Sequence, residues 1–439
     1  AYEIASCLVG SEMCIRDRDK KYRYLPLYSV SGLWRISQEP FMANAKWIDN
    51  LVVRASYGLQ GNIDKNTSPY LLGNYRIENI LPGGSEDMID VSGAPNKKLR
   101  WEKTHSVNAG FDFAVLNQAI NLSVDYYYRK GVDLIGTQML PLETGFEMLT
   151  VNWASMQNQG VEVALSTRNI HTKNFMWTTN FNFAYNNNKI LKEALREDAL
   201  EPGREGYPVG ALFALKTAGL DEEGYPMFEG KDGKAVSAME FFKLQEWGFG
   251  ATDLTARERR ELYTYVGTAD CPYTGGFNNT FTYKAFELGV NFSFDFGGKV
   301  RSQPTYSIVD FDKGRNTNRD ILNRWTPENT ETIFPVLLSQ NERLDEYMWY
   351  SNQNEIYRNL DIWIRDLNYV RLQNIRLGYT LPTNFSRKLG MTSATIAIEG
   401  RNLLVFGSSY KNYLDPETMS NAYATPAPKS VTLSLNLNF

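Results

Sequence analysis

The amino-acid sequence predicts an all-β fold: an antiparallel transmembrane β-barrel, present here as a partial barrel of roughly eleven strands with long extracellular loops. Two observations support this prediction. Segments of alternating apolar and polar residues recur along the 439 residues, and short connections alternate with long ones. The composition agrees, because the 26 Tyr, 23 Phe and 9 Trp side chains suit the pleated surface of strands.

The alternation is clearest at the end of the chain. From Val431 to Phe439 every second residue is apolar, and the residues between them are Thr, Ser or Asn. From Leu288 to Phe296 the same pattern places Leu, Val and Phe on one face and Gly, Asn, Ser and Asp on the other. Successive side chains of a strand point to opposite faces. Each segment therefore has one apolar face and one face that is polar and at most weakly acidic.

Eleven segments follow this pattern and are predicted as strands: 26–37, 51–60, 104–115, 119–130, 159–169, 174–187, 276–284, 287–298, 365–380, 393–402 and 428–439. Their connections differ in length in a regular way. The short and moderate connections are 38–50, 116–118, 170–173, 285–286 and 381–392, and the long ones are 61–103, 188–275, 299–364 and 403–427. Short turns at one end of the strands and long loops at the other are typical of an outer-membrane barrel.

Two local irregularities carry further predictions. Between Leu372 and Ile375 the apolar residues change phase, which indicates either a β-bulge or a weakly patterned strand. In one of the long loops, Thr255 and Glu258 have the spacing of a capping box, which predicts a short helix near 256–265.

Charge and apolar content exclude several classes of protein. The net charge is −4 and the sequence has no long cluster of Lys and Arg, so no nucleic-acid partner is expected. No stretch of about 18 apolar residues occurs that would form a membrane-spanning helix, whereas a barrel strand needs only about 10 alternating residues. The alternative to a barrel is a soluble or surface-attached β-sandwich binding protein, in which the apolar faces would meet in a core.

The first 18 residues differ from the rest. Residues 1–18 contain Cys7 and Cys14 but neither a basic region followed by an apolar core nor a small-residue cleavage site. They resemble translated sequencing-adaptor sequence, and we treat them as a non-native tail. Cys271 is then the single cysteine of the remainder, which excludes an internal disulfide framework there.

Several phrases after residue 20 resemble a known family in their order and spacing. They are RASYGLQGN at 54–62, WEKTHSVNAGFDF at 101–113, INLSVDYYYRKGVDLI at 120–135, NQGVEVAL at 158–165, EGYPVGALFALKTAGL at 205–220, GGFNNTFTYKAFELGVNFSFDFG at 275–297, RWTPEN at 324–329, YVRLQNIRLGYTLP at 369–382, GRNLLVF at 400–406 and YLDPE at 413–417. Together they resemble the SusC/RagA family of TonB-dependent outer-membrane transporters, over almost the whole chain.

The resemblance implies a barrel of twenty-two strands around an N-terminal plug, in the outer membrane of a Gram-negative bacterium of the Bacteroidetes type. It also implies a SusD-like surface lipoprotein as partner, energy from the TonB–ExbB–ExbD complex, and a glycan or a peptide as the imported nutrient. Residues 19–439 would be the C-terminal part of this barrel. The plug and the TonB box would then lie outside the chain.

The sequence offers no residues for catalysis. It has no GxSxG elbow, no phosphate-binding loop and no dinucleotide fingerprint. His105 and His171 are the only histidines, and neither has cysteine, histidine or carboxylate neighbours at metal-ligand spacing. We therefore expect neither an enzyme nor a cofactor or metal.

Aromatic residues fall into two predicted groups. Strand residues that suit the aromatic girdles at the two membrane surfaces are Tyr126, Tyr127, Tyr128 and Trp177. Loop residues that could stack on a bound nutrient are Trp247, Trp325, Trp349 and Tyr350. The alternative for the second group is packing of the loops on one another, and the sequence leaves both open.

The final residue carries one more prediction. Alternating apolar residues that end in an aromatic residue resemble the C-terminal signature of outer-membrane proteins. Phe439 would extend the outward apolar row to the periplasmic interface. The last strand is thus expected to act as the barrel assembly signal, with Phe439 as its key residue.

Overall fold

A computed structural model describes residues 11–12, 20–22, 24–64, 67–81, 84–302, 319–337, 345, 354–388, 390–407, 415–418 and 425–439. The strands in chain order are β1 (Ser11–Glu12), β2 (Pro26–Arg35), β3 (Ile48–Asn62), β4 (Leu72–Leu81), β5 (Gly84–Ser92), β6 (Glu102–Val115), β7 (Ile120–Met139), β8 (Met148–His171), β9 (Phe175–Lys192), β10 (Ala211–Leu215), β11 (Thr217–Leu220), β12 (Pro226–Glu229), β13 (Ala235–Val236), β14 (Tyr263–Thr268), β15 (Tyr273–Tyr283), β16 (Phe286–Arg301), β17 (Ile364–Thr380), β18 (Ser393–Phe406) and β19 (Ser430–Asn438). Short α-helices cover Ala238–Phe241, Ala256–Glu261, Asn354–Arg358 and Thr383–Lys388.

One large antiparallel sheet dominates the described residues. It contains twelve strands in the order β1-β2-β3-β6-β7-β8-β9-β15-β16-β17-β18-β19, so each long strand pairs with its neighbour along the chain. β1 and β19 are the two edges, and the sheet does not close on itself. The predicted fold, an antiparallel barrel wall in partial form, is confirmed. β1 lies within the segment predicted to be a non-native tail and pairs with the first two residues of β2.

All eleven predicted strands are present, but several are longer than predicted. β7 continues to Met139 and β8 begins at Met148. These two strands are 20 and 24 residues long, and the connection between them is short. About 10 residues cross a bilayer in a barrel strand. The additional residues adjoin the connection between β7 and β8, and outside a bilayer no apolar alternation is required.

The phase change in β17 is a β-bulge. The register shifts between Leu372 and Asn374 against β18, and between Asn291 and Phe292 against β16. Gln373 is the extra residue, and its side-chain amide donates a hydrogen bond to Ser293 Oγ at 2.7 Å. Of the two alternatives that the sequence left open, the bulge is the one observed.

The apolar face of the large sheet is uncovered. Val431, Leu433 and Phe439 are 68%, 75% and 85% exposed, and outward residues such as Val107 and Phe111 are also exposed. Among the described residues no second sheet covers this face, as a β-sandwich would require. An apolar surface of this extent is rare on a soluble monomer, whereas it suits lipid. No helix in the described ranges has the length and apolar character needed to cross a membrane.

The long loops contain structure that the sequence did not predict. β4 and β5 form a separate two-stranded hairpin, β10 pairs with β14, and β11, β12 and β13 form a small sheet. These strands are too short, or too mixed in polarity, to give an alternating pattern. The predicted capping box is confirmed: Thr255 Oγ1 accepts from the backbone N–H of Glu258, whose carboxylate accepts from the N–H of Thr255. The helix is shorter than predicted and ends at Glu261.

Candidate functional site

The polar face of the sheet carries an ordered row of polar side chains, five amides and one hydroxyl, which we call the amide row. In register across six neighbouring strands, the row is Asn121, Ser166, Asn180, Asn278, Asn291 and Asn374. Adjacent strands lie about 4.8 Å apart, so these groups form a regularly spaced band of hydrogen-bond donors and acceptors. The band borders a cavity of about 830 Å³ whose charged lining residues are Asp112 and Asp295.

One amide in this row has unused capacity. Asn278 Oδ1 is buried and finds no hydrogen-bond partner among the described residues. A buried oxygen without a partner costs free energy unless a water molecule or a ligand donates to it. The row can therefore bind groups that carry hydroxyls or amides, in which donors and acceptors are mixed.

A second feature of the polar face is an ion-pair cluster around Arg54 in β3. Its guanidinium donates to the Asp125 carboxylate at 2.5 Å and 3.1 Å and to Ser123 Oγ at 3.1 Å, and it pairs with Asp112. Gly110 lies between Arg54 and Asp125 in the register, which leaves room for the guanidinium to cross. The cluster links three strands across the polar face.

Replacing Gly110 by Ala should disrupt this cluster. A Cβ at this position would collide with the Asp125 carboxylate and lie 2.8 Å from the carbonyl oxygen of Val124, which cannot move away freely. We expect a loss of about 1–3 kcal/mol in the free energy of unfolding, measured by urea titration of the folded barrel. Gly289→Ala is the matched control, because nothing lies within 4 Å of its Cβ position. Equal losses in both variants would contradict the steric explanation.

A third feature is a buried clamp between the wall and a loop. Arg371 in β17 is 2% exposed, and its guanidinium pairs with Asp415 and donates from Nε to Glu417 Oε1 at 2.9 Å. Tyr369 Oη lies 2.5 Å from Asp295 Oδ2 and 3.2 Å from Glu417 Oε1. The clamp therefore joins β16 and β17 to the connection between β18 and β19.

The ionisation of Asp415 reflects this setting. Burial alone would raise the pKa of its carboxyl. The hydrogen bond and charge of Arg371, together with the backbone N–H groups of Glu417 and Ala427, outweigh burial and lower that pKa below its ordinary value. Asp415 is thus held as a carboxylate.

The strand aromatics predicted for the girdles divide between the two faces of the sheet. Tyr126 is on the apolar face and 42% exposed, and Trp177 stacks on Phe281 on the same face. Tyr127 is a correction, because it lies on the polar face, where its hydroxyl donates to Asn186 Oδ1 at 2.9 Å. Neighbours in a strand point to opposite faces, so Tyr126 and Tyr127 cannot share a girdle.

The loops at the far end of the strands fold together into a compact unit. The connection between β9 and β15 and the described part of that between β16 and β17 share a buried cluster that includes Phe228, Phe242, Leu360 and Trp363. The backbone N–H of Leu215 donates to the carbonyl of Asn359 at 2.8 Å and joins the two connections. Aromatic packing adds to this, with Phe228 and Phe242 in edge contact at 5.1 Å. We call this the loop unit.

The four loop aromatics predicted to contact a nutrient are placed differently. Trp247 is 73% exposed on the loop unit, where Asp345 accepts its backbone N–H at 2.8 Å and that of Phe249 at 2.9 Å. Trp325 is half-buried against Gly224, which supports the packing alternative for this residue. Trp349 and Tyr350 lie outside the described residues.

Sequence reasoning missed the charged residues of the polar face. Arg54 and Arg371 lie in predicted strands, and no special role was predicted for either. Each is an arginine among small polar residues on the face that turns away from lipid. That position is the signal that could have identified them, because a charged group there needs a partner on a neighbouring strand or loop. Their partners are distant in sequence and could not be predicted from spacing.

Comparisons with known proteins agree with this geometry. The family model described as TonB dependent receptor-like, beta-barrel matches residues 16–212. TonB-dependent receptor P3 of Formosa agariphila is 27% identical over 100% of this chain and 44% of its own length. The chain is thus similar to the β-barrels of TonB-dependent receptors. TonB-dependent receptor SusC of Bacteroides thetaiotaomicron is 24% identical over 96% of the chain and 40% of its own length, so the predicted SusC/RagA resemblance is confirmed.

Solved structures show the same fold. The RagAB peptide transporter matches with a TM-score of 0.72 and 23% identity over 96% of this chain and 44% of that one. The open-open state of the RagAB peptide importer matches with a TM-score of 0.74. The chain spans less than half the length of these relatives.

Proposed function

We propose that the protein to which this chain belongs imports a nutrient across the outer membrane in a TonB-dependent manner, as a SusC/RagA-type transporter. The observation that carries the proposal is the division of the sheet into an exposed apolar face and a polar face with an amide row and a cavity of about 830 Å³. A wall of this kind separates lipid from a water-filled passage. Transport is the activity that these residues support.

The proposed partners follow from the resemblance to SusC/RagA transporters. A SusD-like lipoprotein would sit over the loop unit, and the TonB–ExbB–ExbD complex would supply energy through parts of the protein outside this chain. The nutrient is an oligosaccharide or a peptide. Both carry the hydroxyl or amide groups that an amide row can bind. The relative with the solved structure is named a peptide transporter, whereas the described residues favour neither ligand.

The central experiment measures uptake and location together. The intact protein should fractionate with the outer membrane. Cells should lose uptake of a labelled oligosaccharide or peptide pool when the gene for this protein, or the gene for TonB, is deleted. A strain in which a plasmid restores the deleted gene serves as control. Recovery of the protein from detergent-free buffer as a soluble monomer would contradict the proposal, since the apolar face has no water-soluble covering.

For the loop aromatics, we propose nutrient contact at Trp247, Trp349 and Tyr350. Replacing Trp247 by Ala should weaken nutrient binding by the intact transporter several-fold, because an aromatic contact contributes about 0.5–1.5 kcal/mol beyond its buried area, while the barrel still assembles. Isothermal calorimetry checks the affinity. Trp325→Ala is the contrasting variant, because its ring packs on Gly224 and its loss should affect the loop unit first. Unchanged affinity in Trp247→Ala would remove that residue from the site.

A further inference from the structure

The segment Asp415–Thr418 belongs to a connection predicted to be an extracellular loop, yet it packs on the polar face of the wall. Asp415 and Pro416 are buried. Their partner Arg371 pairs in register with Ser293, which lines the wall cavity. The loop is therefore folded back onto the side of the sheet that faces away from lipid.

The segment Asp415–Thr418 and the returning end of the loop are tied to the same carboxylate. Asp415 accepts the backbone N–H of Glu417 at 3.1 Å and, with its other oxygen, that of Ala427 at 3.2 Å. Ala427 lies shortly before β19, and the amide of Asn402 in β18 donates to the carbonyl of Pro428. The returning part of the loop is thus fixed to the same point as the segment Asp415–Thr418.

The clamped segment also borders the cavity. Asp295 is one of the cavity's two charged lining residues and hydrogen-bonds to Tyr369, which contacts Glu417. Glu417 itself remains 44% exposed at this border. The segment therefore lies beside this cavity on the polar face of the sheet.

We propose that Asp415–Thr418 is a fixed strap that narrows the passage along the polar face, and that Arg371 and Tyr369 are the positioning residues that hold it. The inference rests on the proposed transport function, because a passage exists only if the wall encloses one. The strap does not open easily, since its release breaks the ion pairs of Arg371 with Asp415 and Glu417 together. The strap therefore sets the width of the passage, and mobile parts of the receptor have to move past it.

The test uses the full-length receptor in the outer membrane, with a single cysteine introduced by Thr418→Cys in a background without other cysteines. Whole cells are treated with a membrane-impermeant maleimide, and their sensitivity to vancomycin, which an intact outer membrane excludes, is measured in parallel. The strap variants are Asp415→Asn and Glu417→Gln. The matched control is Arg376→Gln. Arg376 lies on the same strand as Arg371, and the change removes its exposed ion pair with Glu287 in β16.

We expect labelling of the thiol introduced by Thr418→Cys to accelerate about tenfold in Asp415→Asn, with a smaller increase in Glu417→Gln and higher vancomycin sensitivity in both. The control should match the unmodified receptor in both readouts. Labelling that stays unchanged in Asp415→Asn, or rises equally in the control, would overturn the proposal. So would failure of Asp415→Asn to assemble, because the pair would then be needed for the wall and not for the strap. Neither readout requires uptake, so loss of the transport proposal and loss of the strap are distinguishable.

Discussion

Replacing Arg371 by Met should lower the free energy of unfolding of the barrel by about 3–5 kcal/mol, because it leaves Asp415 buried as an unpaired charge. Both partners are buried, at 2% and 8% exposure, and water cannot compensate for the lost guanidinium. Urea titration of the folded receptor in lipid vesicles, followed by heat-modifiable mobility on gels, measures the change. The same substitution should leave the native topology intact, since the backbone pairing of β17 does not depend on this side chain.

Two further variants show whether the lost stability comes from a buried unpaired charge. Arg376→Gln on the same strand breaks an exposed pair and should cost no more than about 1 kcal/mol. The double variant Arg371→Met with Asp415→Leu replaces the pair by apolar groups and should recover part of the loss, because no buried charge remains. Equal losses in the Arg371 and Arg376 variants would show that the Arg371 pair is not a buried clamp.

The clamp should also depend on pH in one direction. The folded-state pKa of Asp415 is lowered from the ordinary value of 3.8. Its contribution to stability is therefore fully present above that ordinary value and is lost as the pH falls through the lowered pKa. In acid titrations the Asp415→Asn variant should lose less stability than the unmodified receptor over this range. A steeper loss in the variant would reverse the sign and exclude the carboxylate as the titrating group.

Deleting Phe439 should lower the amount of folded barrel in the outer membrane several-fold, without a matching change in synthesis. The ring is 85% exposed at the end of an apolar row on β19, where it has no packing role in the described structure. Its loss should therefore act on recognition during assembly and not on the stability of the finished barrel. Quantitative immunoblots of membrane and periplasmic fractions measure the outcome, with increased periplasmic degradation expected.

Leu433→Ala is a suitable control for this deletion. Leu433 lies on the same apolar row and is 75% exposed, so the change removes similar lipid-facing surface without altering the terminus. Assembly of the Phe439 deletion at the level of the unmodified protein would make Phe439 one more lipid-facing side chain. Equal defects in both variants would assign the effect to apolar area alone.

The strands could be predicted because a wall between lipid and water imposes alternation on every residue it contains. The pattern ends where the wall ends. β7 and β8 are 20 and 24 residues long, more than the roughly 10 that a bilayer requires, and the residues beyond that length carry no period that marks a strand. The hairpin of β4 and β5 was missed for a similar reason, since its apolar side chains Tyr75, Ile77 and Ile89 are exposed and not packed in a described core.

The site could be predicted only in its general character. A polar face of small uncharged residues was visible in the sequence. The amide row forms because the strand register places Asn residues of neighbouring strands side by side on that face. The ion pair between Arg371 and Asp415 joins residues that are 44 positions apart. It depends on how a loop returns to the wall, which the alternating pattern does not indicate. Trp247 and Trp325 were equivalent in sequence, and only tertiary packing separates the exposed ring from the half-buried one.

The most direct test of a wall between lipid and water is the environment of four consecutive residues in β16. Spin labels are placed singly at Asn291, Phe292, Ser293 and Phe294 of the receptor in lipid vesicles, and collisions with oxygen and with a water-soluble nickel complex are measured. We expect labels at Phe292 and Phe294 to meet oxygen from lipid, and those at Asn291 and Ser293 to meet the nickel complex. Equal accessibility at all four positions would contradict a wall with one lipid face and one polar face.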